Sequence, residues 1–256
     1  LVAQYGTPLY LLDEDRIRER CRTYMKAMHE AFGERALPLY AGKAASFKQM
    51  YRIMKEEGMA IDLVSGGEIY TAVQAGFPME RSFFHGNNKT DEDIAFAMDA
   101  GVGYFIVDSL FELDAVQAEA EKRGINQKVL LRLTPGIDPH TYEAVATGKV
   151  DSKFGTAIET GQAMEMLKFA MSLENVEVEG FHCHIGSQIF DESPFEVLCG
   201  HFIDFAKEHT GLFFYVTRIG CGIAGFKDED MAPLFHDALD LSNVALPKEF
   251  VDILLQ

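Results

Sequence analysis

The sequence predicts an α/β fold of the (β/α)8 TIM-type barrel class. Short runs rich in β-branched and aromatic residues alternate with helical patterns along most of the chain. The first four runs begin near residues 38, 60, 82 and 104, about 22 residues apart, which is the length of one strand–helix unit. The chain has 256 residues, of which 48% are hydrophobic, enough to build one barrel around a single core.

The elements follow in chain order. An isolated run, Pro8–Leu12, precedes a helix predicted over Asp13–Phe32, whose apolar positions recur every three or four residues. Later helices are predicted over Phe47–Glu57, Gly67–Ala75 and Asp91–Ala100, and a capping box formed by Ser109 and Glu112 begins another. Glycines that favour helix ends stand at Gly58, Gly76, Gly101, Gly124 and Gly211. Strands are predicted over Leu37–Ala41, Ala60–Val64, Ser82–His85, Tyr104–Val107, Val129–Leu133, Val178–His184 and Phe213–Ile219.

The strand count sets the domain organisation. Seven barrel strands are found where a closed barrel needs eight, and the tail Asp228–Gln256 is predicted to be helical with no further strand. We therefore expect residues 1–36 to form an N-terminal strand and helix, and residues 37–256 to form a barrel that lacks its last strand. An open doubly wound sheet is the alternative, but no GxGxxG motif follows the first strand.

Charge and cysteine usage exclude several classes of function. Lys and Arg number 23 against 40 Asp and Glu, a net charge of −17, so the chain repels nucleic-acid backbones and anionic membranes. No apolar run approaches the roughly 20 residues that cross a bilayer. The four cysteines form no CxxC pair, which is typical of the reducing cytosol.

Polar or glycine-rich residues follow six of the seven predicted strands, where a barrel enzyme carries its active site. Lys43 follows the first strand among small and apolar neighbours, so partial desolvation would make it a nucleophilic amine. The alternative is a surface lysine that extends to solvent. Asp62 and the segment from Ser65 to Glu68 end the second strand, and Arg132 lies near the end of the fifth.

Three histidines lie at strand ends. His182 and His184 point to one face of a strand and Cys183 to the other. The two histidines could bind a metal with His85, contact a flat ligand, or be ordinary core residues. Backbone amides of Gly186 and Ser187 and of the turn 220–222 could bind a phosphate, although each glycine-rich turn is a weak signal alone. The segment from Ser152 to Gly155 is either another such turn or a surface loop.

Several of these segments occur together and in order. They are Tyr40-Ala41-Gly42-Lys43-Ala44, Asp62-Leu63-Val64-Ser65-Gly66-Gly67-Glu68, His85-Gly86-Asn87-Asn88-Lys89, Thr134-Pro135-Gly136-Ile137-Asp138-Pro139-His140-Thr141, Ser152-Lys153-Phe154-Gly155 and His182-Cys183-His184-Ile185-Gly186-Ser187-Gln188. With this set the chain resembles the diaminopimelate decarboxylases, pyridoxal-phosphate enzymes of the alanine racemase-like barrel class within the class-II ornithine, lysine and arginine decarboxylase family. The resemblance runs from Tyr5 to about Gly222.

The resemblance implies a site and a reaction. Lys43 would hold pyridoxal phosphate through a Schiff base, His184 would stack on the cofactor ring, and Asp62 would help set the charge of the lysine. The residues implied at the phosphate are Ser187, Gly220 and Gly222. The implied reaction converts meso-2,6-diaminopimelate to L-lysine and CO₂, in lysine biosynthesis, in a cytoplasmic homodimer that uses no metal.

The chain departs from the family pattern in two places. Cys221 stands within a run where the family has three glycines, and its side chain would intrude where backbone approaches phosphate. The family's later Glu-Pro-Gly-Arg segment and its C-terminal β domain are not found. We therefore expect weak cofactor binding, with slow decarboxylation or none. The alternatives are another pyridoxal-phosphate decarboxylase or racemase, a non-catalytic or degenerate cofactor-binding fragment, and a metal-dependent hydrolase barrel that uses His182 and His184, with Lys43.

Overall fold

A computed structural model describes residues 1–32, 36–138, 153–186, 193–208, 214–215 and 228–255. The helices are α1 (Val2–Tyr5), α2 (Glu14–Phe32), α3 (Lys48–Glu56), α4 (Gly66–Ala75), α5 (Asp91–Asp99), α6 (Leu110–Arg123), α7 (Gln162–Ser172), α8 (Ser193–Glu208), α9 (Asp228–Met231) and α10 (Lys248–Leu254). The strands are β1 (Leu39–Ala41), β2 (Ala60–Leu63), β3 (Ser82–Phe84), β4 (Tyr104–Val107), β5 (Gln127–Thr134), β6 (Thr156–Ala157), β7 (Val176–Cys183), β8 (Phe214–Tyr215) and β9 (Val244–Ala245).

The strands pair in parallel, as the alternation of strands and helices predicts. Strands β1 to β5 lie side by side in chain order, and β5 pairs with both β6 and β7. Strands β8 and β9 form a second parallel pair. All parallel strands of the larger sheet therefore present their carboxyl ends at one edge, where the polar residues of the sequence collect.

The helix starts and ends follow from single residues. Ser65 and Ser109 accept the backbone N–H of the residue three positions on, and so cap α4 and α6. Thr90 caps α5 with a complete capping box. Gly76 and Gly124 end α4 and α6 in the left-handed conformation, as predicted, since only glycine adopts it without strain. The Ser109 box is incomplete, because the Glu112 carboxylate accepts the N–H of Asp108 instead of that of Ser109.

The main core lies between the sheet and the helices that cover it. Phe84 on β3 and Phe105 on β4 are buried and meet edge to face, with ring centroids 5.6 Å apart. At the amino-terminal edge, Gly103 lies so close to the backbone of Glu80 that a Cβ there would collide with the Glu80 carbonyl group. A smaller apolar cluster joins α8 to the C-terminal helices through Cys199, Phe235 and Phe250.

Two predicted features are wrong. Pro8–Leu12 forms no strand, and Leu11 and Tyr10 are largely exposed; a β-like run needs a neighbouring strand for its backbone groups, and none pairs with it among the described residues. The tail is not wholly helical, because Val244 and Ala245 form β9 between α9 and α10. Two residues are too few to show an alternating pattern.

Some sequence predictions fall where the chain is not described. Of the predicted strand Phe213–Ile219, the described part is β8, and the predicted helix end at Gly211 lies outside the described residues. Of the four cysteines, Cys21, Cys183 and Cys199 are free thiols, and Cys221 lies outside the described residues. None of the helices in the described part of the chain is long and apolar enough to cross a membrane.

Candidate active site

The carboxyl edge of the sheet brings together polar residues from strands far apart in sequence. The strand register explains which of these residues are neighbours. Asp62 pairs with Ala41, which stands two residues before Lys43, and Arg132 pairs with His182 on the adjacent strand. The polar groups at this edge are Lys43 after β1, Asp62 on β2, His85 after β3, Asp108 after β4, Arg132 on β5, and His182 and His184 at the end of β7.

Lys43 occupies the 3-10 turn Gly42–Ala44 that follows β1, and the residue is exposed. The prediction of a partly desolvated lysine is therefore wrong, because the small side chains beside Lys43 cannot cover a four-carbon side chain. Gly42 allows this turn to approach β2. A Cβ at position 42 would stand 2.6 Å from the Tyr51 Oη and 2.9 Å from the Asp62 carbonyl oxygen.

Asp62 is a carboxylate held out of water. Its side chain is 22% exposed, and its Oδ1 is buried without a hydrogen-bond partner among the described residues. Burial is the main cause that raises the pKa of Asp62, the charge of Lys43 opposes it and that of Glu68 adds to it, and the resulting pKa is about 6. His85 Nε2 lies 3.5 Å from Oδ1, which is a contact and not an ion pair, since the His85 ring is neutral.

His85 and His182 form a neutral pair. Their ring centroids are 4.8 Å apart and the rings are nearly perpendicular. Burial, together with neighbouring positive charges, lowers the pKa of His85 to about 2 and that of His182 to about 3. The Nδ1 of His182 is buried and has no hydrogen-bond partner in the described part of the chain. Burial also lowers the pKa of His184, which lies just beyond β7.

Cys183 lies on the opposite face of β7, as the period of a strand predicts. It packs against Ile137, Ile185 and Leu198. Burial raises the pKa of its thiol to about 12, so the group stays protonated and takes the part of a small apolar side chain.

Asp108 is a further residue at this edge, and it was not among the predicted site residues. Asp108 Oδ1 accepts the N–H of Gly155 at 2.8 Å and lies 3.7 Å from Arg132 Nη1. The Arg132 guanidinium carbon stands 4.2 Å from the centre of the Phe154 ring. Phe154 therefore lies against Arg132 and Gly155 against Asp108, so these two residues do not belong to an ordinary surface loop. Asp108 directly follows a predicted strand, and that position was the signal available.

Some predicted site residues cannot be placed. Ser187, Gly220 and Gly222, the predicted phosphate contacts, lie outside the described residues, as does Cys221. Among the residues that are described, no group of three or more His, Cys, Asp or Glu side chains could hold a metal ion. The hydrolase alternative therefore gains no donor set from His182 and His184.

Comparison with known proteins gives the family. Residues 14–250 match the family model described as pyridoxal-dependent decarboxylase, pyridoxal binding domain. The diaminopimelate decarboxylase of Bacillus methanolicus is 40% identical over 248 residues, which are 95% of this chain and 57% of that protein. The chain is thus little more than half the length of this relative.

Solved structures agree in fold. The diaminopimelate decarboxylase of M. jannaschii in complex with L-lysine superposes with a TM-score of 0.75 at 29% identity, over 97% of this chain and 62% of that one. The Helicobacter pylori enzyme complexed with L-lysine gives a TM-score of 0.77 at 26% identity, over 95% of this chain and 63% of the other. These likenesses confirm the barrel class predicted from the sequence. The chain belongs to the pyridoxal-dependent decarboxylases, and residues 14–250 are the pyridoxal-binding domain of that family.

Proposed function

We propose that Lys43 binds pyridoxal phosphate and that the protein decarboxylates meso-2,6-diaminopimelate to L-lysine and CO₂. One observation carries the assignment of the site: an exposed primary amine stands at the carboxyl edge of a parallel sheet, beside a carboxylate whose inner oxygen has no partner among the described residues. An amine needs access to react with an aldehyde, and Lys43 has it.

The described residues fit this cofactor. Asp62 Oδ1 and His182 Nδ1 are buried polar atoms that lack hydrogen-bond partners within the described residues, and such atoms are costly unless a bound group or water satisfies them. The neutral rings of His85 and His182 add no positive charge that would compete for Asp62. Among the described residues, the edge therefore offers a reactive amine, the carboxyl groups of Asp62 and Asp108 and flat neutral rings, which suits a small aromatic aldehyde.

Each residue has a proposed part. Lys43 would hold the cofactor, and its amine would keep a proton beside the reacting carbon. Asp62 would stabilise the charge of Lys43, and His184 would pack on the cofactor ring. Ser187, Gly220 and Gly222 would donate hydrogen bonds to the phosphate. When bound, pyridoxal phosphate supplies an electron sink for the electron pair that remains as CO₂ leaves.

The substrate assignment is supported by the relatives. Those reported above are diaminopimelate decarboxylases. In the proposed reaction the substrate loses one carboxylate as CO₂ and gains one proton at the same carbon, which gives a diamino monoacid. We also propose that the protein acts as a cytoplasmic homodimer in lysine biosynthesis. The resemblance to a dimeric family supports this, and light scattering at micromolar concentration tests the dimer.

A trapping experiment tests the cofactor site. The purified chain is titrated with pyridoxal phosphate, reduced with borohydride and mapped by peptide mass spectrometry. We expect a yellow absorbance on titration and a reduced adduct on Lys43. The Lys43→Ala variant should lose this adduct, and Lys48→Ala, which removes an exposed lysine at the start of α3, should retain it. Adducts spread over several surface lysines, with Lys43 unmodified, would refute the assignment.

A substrate panel tests the activity. Release of CO₂ from the carboxyl carbon is measured with meso-2,6-diaminopimelate, L-ornithine, L-arginine and L-lysine, and chirality is followed in parallel to detect racemisation. We expect the highest kcat/KM with meso-2,6-diaminopimelate. A higher value with another amino acid, or racemisation without CO₂, would replace the proposed reaction. Cofactor trapped on Lys43 without any turnover would identify a non-catalytic binding protein.

A further inference from the structure

Lys89 is a buried cation outside the set of residues assigned above. Its side chain is 1% exposed. The ammonium donates to the Gly86 carbonyl oxygen at 2.8 Å, to the Ile106 carbonyl oxygen at 2.7 Å and to Glu112 Oε1 at 2.6 Å. It also stands 5.3 Å from the centre of the Phe84 ring. All three donors of the ammonium are therefore used.

Glu112 carries the connection onward. Its side chain is 8% exposed, and while one carboxylate oxygen accepts from Lys89, the other accepts the N–H of Asp108 at 2.9 Å. The ion pair thus ties together the loop after β3, the end of β4 and the first turn of α6. The two distant contacts, with Ile106 and Glu112, lie 17 and 23 residues from Lys89 in the sequence.

Two chains of contacts connect this ion pair to the candidate active site. The first passes through Gly86 to its neighbour His85, whose Nε2 lies 3.5 Å from Asp62 Oδ1. The second passes through Glu112 to Asp108, whose Oδ1 holds the Gly155 N–H. The same oxygen lies 3.7 Å from the Arg132 guanidinium.

Stability alone does not account for a charged pair at this position. A buried ion pair is often no more stabilising than apolar residues of similar volume, because two charges lose their hydration. The start of α6 is also capped already by Ser109. The pair instead fixes geometry. A compact ammonium with three fixed acceptors holds two strand ends and one helix start in a single arrangement.

We propose that Lys89 is a positioning residue of the active site, which sets His85 against Asp62 and, through Glu112, sets Asp108 against Arg132. This inference rests on the proposed function for its effect on pyridoxal phosphate, but not for its effect on the histidines. The positive charge of Lys89 is also among the causes, after burial, that lower the pKa of His85 and of His182.

Two variants and a matched control test the proposal. Lys89→Met removes the cation, and the double variant Lys89→Met with Glu112→Gln removes both charges, so that no carboxylate is left buried without its partner. Lys128→Met is the control: Lys128 also pairs with a glutamate, Glu179 at 2.7 Å, and also stands over an aromatic ring, Tyr104 at 5.7 Å. It lies at the start of β5, at the other edge of the sheet.

The first readout needs no cofactor. Nitrogen NMR of ¹⁵N-histidine-labelled chain reports the ring environment of His85 and His182, assigned through single His→Gln variants. Both resonances should move in the two Lys89 variants and stay in place in Lys128→Met. The second readout is the dissociation constant for pyridoxal phosphate, which should rise about tenfold in the Lys89 variants, the factor that corresponds to about 1.4 kcal/mol of lost binding free energy.

Each outcome decides between the proposals. Unmoved His85 and His182 resonances in a folded double variant, as judged by circular dichroism, would overturn the positioning role. If the unmodified chain binds no pyridoxal phosphate, the proposed function fails while the NMR result still stands. If neither Lys89 variant folds, the Glu112→Gln variant tests the positioning role. This variant keeps the hydrogen bonds of Lys89 to the two carbonyl oxygens, so we expect the His85 resonance to stay in place. The Arg132 Nε–H resonance should shift, because the contact through Glu112 to Asp108 is changed. An unmoved Arg132 resonance would then overturn the proposal.

Discussion

Replacement of Asp62 by Asn is expected to stabilise the cofactor-free protein above pH 6. The fold holds this carboxyl largely out of water, with Oδ1 buried and unpaired among the described residues, and its pKa rises from 3.8 to about 6. At about 1.4 kcal/mol for each pH unit, the ionised carboxylate costs the fold about 3 kcal/mol at neutral pH. Asn has nearly the same shape and carries no charge, so it removes at most this cost.

The raised pKa of Asp62 also determines how stability changes with pH. Between pH 4 and 6 the folded protein holds a proton on Asp62 that the unfolded chain has released, so stability falls as the pH rises through this window. The difference in stability between the Asp62→Asn variant and the unmodified chain should therefore be close to zero near pH 4, grow up to about pH 6, and stay constant above it. For a chain of this size, about 3 kcal/mol corresponds to a rise in Tm of about 6–12 °C.

Thermal unfolding followed by circular dichroism measures this difference, since the chain has no tryptophan to report by fluorescence. Asp99→Asn is the matched control. Asp99 is exposed, and its hydrogen bond with Arg123 lowers its pKa, so its replacement should lower the Tm at neutral pH. An Asp62→Asn chain with an unchanged or lower Tm at pH 7.5, next to a normal control, would refute the argument that the fold penalises this carboxylate.

Two further predictions concern the same edge. Gly42→Ala should reduce borohydride trapping on Lys43 by roughly tenfold, because the added methyl group displaces the turn. Gly103→Ala, at the far edge of the sheet, is the control. It should lower the free energy of unfolding by about 1–3 kcal/mol without changing the trapped fraction. His85 and His182 should stay neutral between pH 5 and 8, which nitrogen NMR checks. In the unfolded chain both histidines take up a proton near pH 6.5, and in the folded protein they do not. The free energy of unfolding should therefore fall as the pH falls below that value.

The fold could be predicted where the pattern is local. Strand β4 was predicted with its observed ends, and left-handed glycines end α4 and α6 where helix periodicity stops. The errors at Pro8–Leu12 and at β9 have one cause. Whether a short β-like run becomes a strand depends on a partner elsewhere in the chain, and hydrophobic pattern does not encode that partner.

The site divides in the same way. The strand-end rule found Lys43, Asp62 and His182, since each follows or lies within a recognisable strand. It did not include Asp108, and it included Lys89 only as the last residue of the segment that follows the third predicted strand. Their roles come from contacts across 47 residues to Gly155 and across 23 residues to Glu112, and no spacing in the sequence announces such a contact.

The same local sequence pattern occurs twice at the carboxyl edge of the sheet, and distant contacts give it a different role in each place. After both β2 and β4 the chain has Ser-x-x-Glu: each serine caps its helix, and each glutamate accepts the N–H of the residue before the serine. The Glu68 carboxylate lies near the Gly42 turn and raises the pKa of Asp62. The Glu112 carboxylate instead receives the ammonium of Lys89. The same helix start therefore puts negative charge beside the proposed cofactor amine in one unit and neutralises it in the other.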